Sequence, residues 1–228
     1  MAVAVRDLGT GETHAAGDPG EFGTASLVKV MVAARLLVEA GRAGFDDETA
    51  RLVHAMVTAS DDDAADLLWA RAGGVDVEPW IERHFDLPGL GSPNGIPGRW
   101  GNTHVTAAGT VALLAALRAD DAVWPWLGPA LHAVTPRASD GTDQRFGLLA
   151  LDPTAAVKQG WAGGSSDDAG NAVVHSCGIT GDGRLAVAVL TEGHGNRAGC
   201  DGRGFHAGQA REVTGIVAML LGDLSARP

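Results

Sequence analysis

Tyrosine is absent from the 228 residues, so no phenolic hydroxyl can take part in proton transfer anywhere in this chain. Cysteine is scarce. Of the two, Cys177 falls in a strand-like run and Cys200 in a glycine-containing loop, and a bridge between them and a buried thiol both stay open. No apolar run approaches the roughly 18 residues of a membrane-crossing helix, so no membrane span is expected. Positive charge is short: 17 Lys and Arg stand against 28 Asp and Glu, a net charge of −11. A nucleic-acid partner, which needs a clustered basic surface, is thereby excluded, and the acidity reads as solubility. The chain has no Gly-x-Ser-x-Gly elbow and no glycine-rich phosphate loop. His194, Cys200, Asp201 and His206 share one loop but meet no recognised ligand spacing, so neither a metal nor another cofactor is expected. Met1 leads straight into a strand-like run without a charged segment, apolar stretch and cleavage site. That leaves a cytoplasmic protein or one whose leader has been removed.

What is present is enough for a core. At 45% hydrophobic residues, the chain can form one compact unit of two lobes, with no internal repeat or low-complexity linker. Ala2 to Asp7 reads as a strand turned by Gly9-Thr10-Gly11, and Thr24 to Ala40 as a long buried helix. Arg51 to Val57, Ala64 to Ala72, and Val105 to Ala119 with Thr106 as cap read as further helices. Ala172 to Ile179 and Leu185 to Thr191 form strands around a Gly181-Asp182-Gly183 turn, and Gly208 to Leu224 is a closing helix. Trp124 and Trp126, around Pro125, read as packing residues. The pattern predicts a sheet packed by helices, with an all-helical insertion.

The chemistry-bearing residues begin at Ser26 and Lys29, three positions apart at the start of an apolar helix. Residues so spaced share a helix face, and the free N–H groups of a first turn favour negative charge on a serine oxygen. The same N–H groups and burial favour a neutral lysine, which could act as base for the serine. Ser60-Asp61-Asp62 then punctuates two apolar segments, and Lys158-Gln159-Gly160-Trp161 follows a Pro-containing loop. The run Asp61-Asp62-Asp63 is also what a solvated helix start looks like.

Three motifs in this order, Ser-x-x-Lys, Ser-Asp-Asp and Lys-Gln-Gly-Trp, resemble the serine β-lactamase and penicillin-binding-protein superfamily, whose set is Ser-x-x-Lys, Ser-Asp-Asn and Lys-Thr-Gly. The third motif is also similar to the Lys-x-Gly-Trp of small actinobacterial β-lactamase-like proteins. The resemblance implies an α/β (α+β) fold: an antiparallel sheet flanked by helices, with an α/β lobe from residues 1–23 and 145–228 and a helical lobe from 24–144. It implies a serine hydrolase forming an acyl-enzyme at Ser26 on an amide or ester. Lys29 would activate Ser26, Ser60 would pass a proton to the leaving group, and Lys158 would hold Ser60 in its field and attract a substrate carboxylate. The N–H groups of Ser26 and Trp161 would form the oxyanion hole, while Asp62, Gln159 and Gly160 would complete the substrate-binding set. A small-molecule or peptide substrate, a monomer, and a location outside the cytoplasm are further implications.

The departures shape the expectation. The lack of tyrosine excludes the branch with a Tyr-x-Asn second motif. Class A β-lactamases carry a glutamate after the second motif that activates the deacylating water, yet none occurs from Arg83 through Thr191. His104 could replace it, although a helix-start histidine is the plainer reading. Poor β-lactam turnover is therefore expected. Asp62, where an asparagine is usual, can only accept hydrogen bonds when ionised, and Gln159 replaces a hydroxyl residue that helps hold a carboxylate. Ser60 follows Ser26 by only 34 positions, which predicts an open site. The alternative is a binding module that keeps the fold and has lost turnover; retention of Ser26, Lys29, Ser60 and Lys158 counts against it.

Overall fold

The computed structural model describes residues 1–41, 44–93, 98–163, 172–193, 199–201 and 204–225, with side chains through 222. The chain starts with β1 (Ala2–Asp7) and β2 (Thr13–Gly17), a hairpin whose turn is closed by the Asp7 carboxylate accepting from the N–H groups of Gly9 and Thr10. The chain returns to this sheet only at β6 (Ala156–Gly163), β7 (Ala172–Ile179), β8 (Leu185–Leu190) and β9 (Glu192–Gly193). The strand order is β2-β1-β8-β7-β6, antiparallel throughout, with β9 beside β7. Joining β1 to β8 pairs residues at opposite ends of the sequence, for example Ala4 with Ala188.

Between β2 and β6 lie the helices. A 3-10 turn (Ala25–Leu27) leads into α1 (Val28–Ala40), followed by α2 (Asp47–Thr58), α3 (Asp62–Arg71) and α4 (Val77–His84). After these come α5 (Ala107–Ala119), α6 (Trp124–His132) and the short α7 (Gly147–Leu151), and α8 (Ala207–Ser225) closes the fold. Sequence reasoning located α1, α2, α3, α5 and α8 to within a few residues, and Thr106 does cap α5 by accepting from the Gly109 N–H. It did not resolve α4 or α6. In α6, Pro125 sits in the first turn, where a missing N–H costs nothing. Phe45 packs edge-on against Trp126, in keeping with a packing role for that tryptophan.

Side chains on a strand alternate between faces, and here the alternation sorts by size. Ala4, Ala156, Ala186 and Ala188 face the core shared with α1, α5 and the other inserted helices. Val5, Val157, Val187 and Val189 face a second core under α7 and α8. Small residues let the α5 layer approach closely, while β-branched ones fill the opposite side. The consequence for β6 is fixed by parity: Lys158 and Gly160 follow Ala156 toward the inserted helices, whereas Gln159 and Trp161 follow Val157.

A second, three-stranded sheet is small but positions the site. β3 (Phe22–Gly23), β4 (Gly91–Ser92) and β5 (His104–Val105) pair around β5. Together with the Thr24 N–H donating to the Thr103 carbonyl at 2.7 Å, they fasten the segment before Ser26 to the one that ends at His104.

Candidate active site

Ser26 lies in the 3-10 turn, buried with only 5% of its surface exposed. The residue before it, Ala25, has φ +44°, and Ser60 has φ +52°. A left-handed conformation costs a non-glycine residue on the order of 1–3 kcal/mol and gathers at functional sites; both instances in this cleft flank or form motif residues. The close approach of β6 to the Ser26 turn explains Gly160. A Cβ there would meet the Thr24 carbonyl oxygen at 3.0 Å and Leu27 Cγ at 3.3 Å.

Two motif lysines converge on the hydroxyl of a third motif residue, Ser60. Lys158, fully buried on β6, donates from Nζ to Ser60 Oγ at 2.9 Å and to the Gln159 carbonyl at 2.9 Å. Lys29, fully buried on α1, donates to the Ser60 carbonyl at 2.7 Å, to Ser60 Oγ at 3.3 Å, and to Asp62 Oδ1 at 2.5 Å. Its ammonium also stands 4.7 Å from the centre of the Trp100 ring. The chain's two lysines are thus both spent on Ser60, while its other basic side chains are 15 arginines. That compositional asymmetry is a signal the sequence reading did not use. In this arrangement Lys29 is turned to Ser60 and Asp62, and Ser26 is not among its partners.

Burial holds the Lys29 pKa below its usual 10.5, opposed by the Asp62 carboxylate. It drives Lys158 well below that value, with the neighbouring Lys29 charge adding to the effect. Two amines on one hydroxyl in a dry setting cannot both hold a proton cheaply. Burial and mutual repulsion thus both favour loss of a proton from one of the two amines beside Ser60. Asp61 caps α3 by accepting from the Ala64 N–H at 2.8 Å, so the Asp run is indeed a helix start. Asp62, 68% exposed at its side chain, is in addition the ion-pair partner of Lys29.

Around Ser26 opens a cavity of about 540 Å³, lined among others by Asp62, Asp66, Arg99, Trp100, Asn102, Asp140 and Trp161. Asp66, Trp100, Asn102 and Asp140 were not anticipated from sequence. Their positions depend on folding: Trp100 and Asn102 sit on a 3-10 turn (Trp100–Asn102) packed on the Ser26 turn, where Gly101 lies against the Ala25 backbone. Asp140 lies in the loop between α6 and α7.

Gln159 corrects the expectation for a substrate contact. Its side chain has no exposed surface and points to the α8 side of the sheet, where Nε2 donates to the carbonyls of Gln144 at 3.1 Å and Phe146 at 2.6 Å. Strand parity is the reason: a residue next to Lys158 must face the other way. Gln159 instead anchors the loop that carries Asp140. Gly160 contributes close backbone approach, and Trp161 lines the cavity while donating its indole N–H to Asp140 Oδ2 at 3.1 Å. His104, on β5, is not among the cavity-lining residues. Cys177 is a free, buried thiol whose pKa burial pushes up to about 12, so the two cysteines are not bridged. Among the described residues no group of three metal-ligating side chains could hold an ion, and His194 lies outside them.

Beneath the site, His175 on β7 has no exposed surface. Its Nε2 is 2.8 Å from the Gly23 carbonyl and its Nδ1 accepts from the Thr191 N–H at 3.1 Å. The second contact requires a lone pair on Nδ1, so the ring is neutral with its proton on Nε2, and burial lowers its pKa to about 4.

This architecture is shared with solved structures. A β-lactamase from Chitinophaga pinensis superposes with a TM-score of 0.75 at 16% identity, covering 98% of this chain and 93% of that one. A class A β-lactamase from Mycobacterium abscessus does so with 0.71 at 17%, covering 99% and 94%. A class A representative from Bacteroides cellulosilyticus gives 0.76 at 14%, covering 99% and 92%. The chain therefore has the fold of these β-lactamases, mixed α/β with an antiparallel sheet. No family model matches it. By sequence it is similar to proteins named "Putative lipoprotein LppW" from Mycobacterium tuberculosis and Mycobacterium bovis, 33% identical over 171 residues, 71% of this chain and 54% of theirs. The chain spans about half the length of the curated relatives it matches.

Proposed function

We propose that the protein is a serine hydrolase that forms an acyl-enzyme at Ser26 on an amide or ester. The observation that carries this is the bridging of Ser60 Oγ by both Lys29 and Lys158 at the edge of a cavity lined by Ser26. The Ser26 hydroxyl adds to the substrate carbonyl carbon and gives its proton to a neutral amine, Lys29 in the first instance. The C–N or C–O bond to the leaving group then breaks as Ser60 delivers a proton to it and is reprotonated by Lys29, which passes on the proton taken from Ser26, while Lys158 holds the Ser60 oxygen. Backbone N–H groups at Ser26 and Trp161 serve the oxyanion: β6 is an edge strand, so some of its N–H groups point away from β7 toward the Ser26 turn. Water then adds to the ester carbonyl and releases the acid, restoring the serine. The two-lobe division, with residues 1–23 and 145–228 against 24–144, belongs to the same proposal, as does the smaller-than-usual helical insertion. The resemblance to proteins named as lipoproteins supports a role at the cell envelope.

A fluorophosphonate, which labels activated serines, tests the reading by intact mass and peptide mapping. One adduct on Ser26, lost in Ser26→Ala and strongly slowed in Lys29→Ala, is the expected outcome. Labelling elsewhere, or none at all, would leave the binding-module alternative, which the tight Lys29–Asp62 pair favours by keeping the amine protonated.

A further inference from the structure

We propose that the cavity selects an acyl donor carrying a cationic group, an ammonium or guanidinium, rather than a carboxylate. The inference rests on the reading of Ser26 as the acylated residue and names the class of substrate that reaches it. Three carboxylates line the cavity, Asp62 and Asp66 from α3 and Asp140 from the loop before α7, and Arg99 is the basic residue among the lining side chains. Both lysines are committed inside the protein. Lys158 is 1% exposed and bonded to Ser60 and Gln159, and Lys29 is matched by Asp62. Gln159, which would have been next in line to hold a carboxylate, faces away.

Two of the carboxylates are built into indole pairs. Trp100 donates its Nε1–H to Asp66 Oδ1 at 2.7 Å, and Trp161 donates to Asp140 Oδ2 at 3.1 Å, with the Thr142 N–H on Asp140 Oδ1 at 2.8 Å. Each acid is thereby oriented beside an aromatic ring, and a carboxylate with one such bond per oxygen retains further lone pairs. Carboxylates next to an indole are the surroundings a cation prefers, by charge and by the ring's negative face. The Trp100 ring already carries the Lys29 ammonium on that principle. Asn102 is a further polar residue of the same lining. An anionic substrate would instead meet three acids, with Arg99 the basic residue of the lining set against them.

Three p-nitrophenyl esters of matched length test the inference, with tails ending in an ammonium, a neutral amide and a carboxylate. The rate of acyl transfer to the protein is read from nitrophenol release, and the adduct is mapped. At low salt the ammonium ester is expected to acylate Ser26 on the order of tenfold faster than the carboxylate ester. The ratio should shrink toward one in Asp66→Asn with Asp140→Asn and at high salt. Asp66→Asn alone, at an exposed helix position, should shift it partway, and guards against misfolding of the double variant. Equal rates, or preference for the carboxylate, would overturn the inference while leaving Ser26 acylation intact. Should no ester label Ser26, tryptophan fluorescence titration of the Ser26→Ala protein with the corresponding amides separates the two ideas. A cation preference in binding upholds the inference and rejects the hydrolase reading, and its absence overturns both.

Discussion

At the scale of residues, the departures from the superfamily's motif set have different physical weights. Gln159 turns out to be structural, a buried clamp on the carbonyls of Gln144 and Phe146. Asp62 is electrostatic: placed on Lys29 Nζ, it raises the pKa of an amine that burial lowers. Asp62→Asn should therefore lower the Lys29 pKa further, because the opposing charge is gone while desolvation persists. The acidic limb of the acylation-rate profile then moves to lower pH, provided that limb reports loss of the Lys29 proton. Acylation rates of wild type and variant by the fluorophosphonate, followed from pH 5 to 10, check this. An unmoved limb would mean that Lys29 is not the base.

At the scale of elements, two buried groups on different supports give opposite pH responses. His175, on β7, has its pKa brought from 6.5 to about 4 by burial. Its contribution to stability is whole above the unfolded value and is lost as pH falls through about 4. Glu78, on α4 and 1% exposed, has its pKa raised from 4.5 to about 7, by burial first and then by Glu82 and Glu21. Its contribution is whole below pH 4.5 and is lost as pH rises through about 7. Between pH 4.5 and 6.5 the two slopes offset one another, and above that Glu78 alone acts. Its Oε1 has no hydrogen-bond partner, so the ionised form is poorly compensated. Glu78→Gln should thus be more stable than wild type at pH 8, by at most about 3 kcal/mol, with the difference fading toward pH 4.5. Urea midpoints across pH 4.5–8 measure it. A variant that tracks wild type at every pH would show that Glu78 is ionised without cost.

At the scale of the whole molecule, acylation and deacylation make different demands. In the proposed mechanism the first needs Ser26 and the two lysines. The second needs a base near the acyl carbonyl, and no glutamate occurs from Arg83 through Thr191, while His104 is fixed in β5 away from the cavity lining. Any acyl donor that labels Ser26 should give a burst of about one equivalent of leaving group followed by a slow steady state. Rapid linear turnover without a burst would mean that another group activates water.

Much of this was legible in the chain because it is local or periodic. The Ser26 to Lys29 spacing, the Thr106 cap, the 181–183 turn and the alternation of β7 and β8 are each set within a few residues by propensity and period. So is the order of the motifs, which by itself was enough to indicate the superfamily. The tertiary structure decided which groups meet. That Ser60 receives both lysines, from α1 and from β6, depends on packing across 98 positions of sequence. Side-chain partners of that kind leave no local trace, and Gln159 shows the cost of treating a motif as a string: adjacent strand residues face opposite layers. Asp66 and Asp140 look like ordinary surface acids in sequence, and only the indoles of Trp100 and Trp161 make them walls of a cavity. Sequence determined the elements and the chemical inventory because hydrogen-bonding period and backbone propensity act at short range. The fold decided charge, access and partnership because burial and Coulomb interaction act through space.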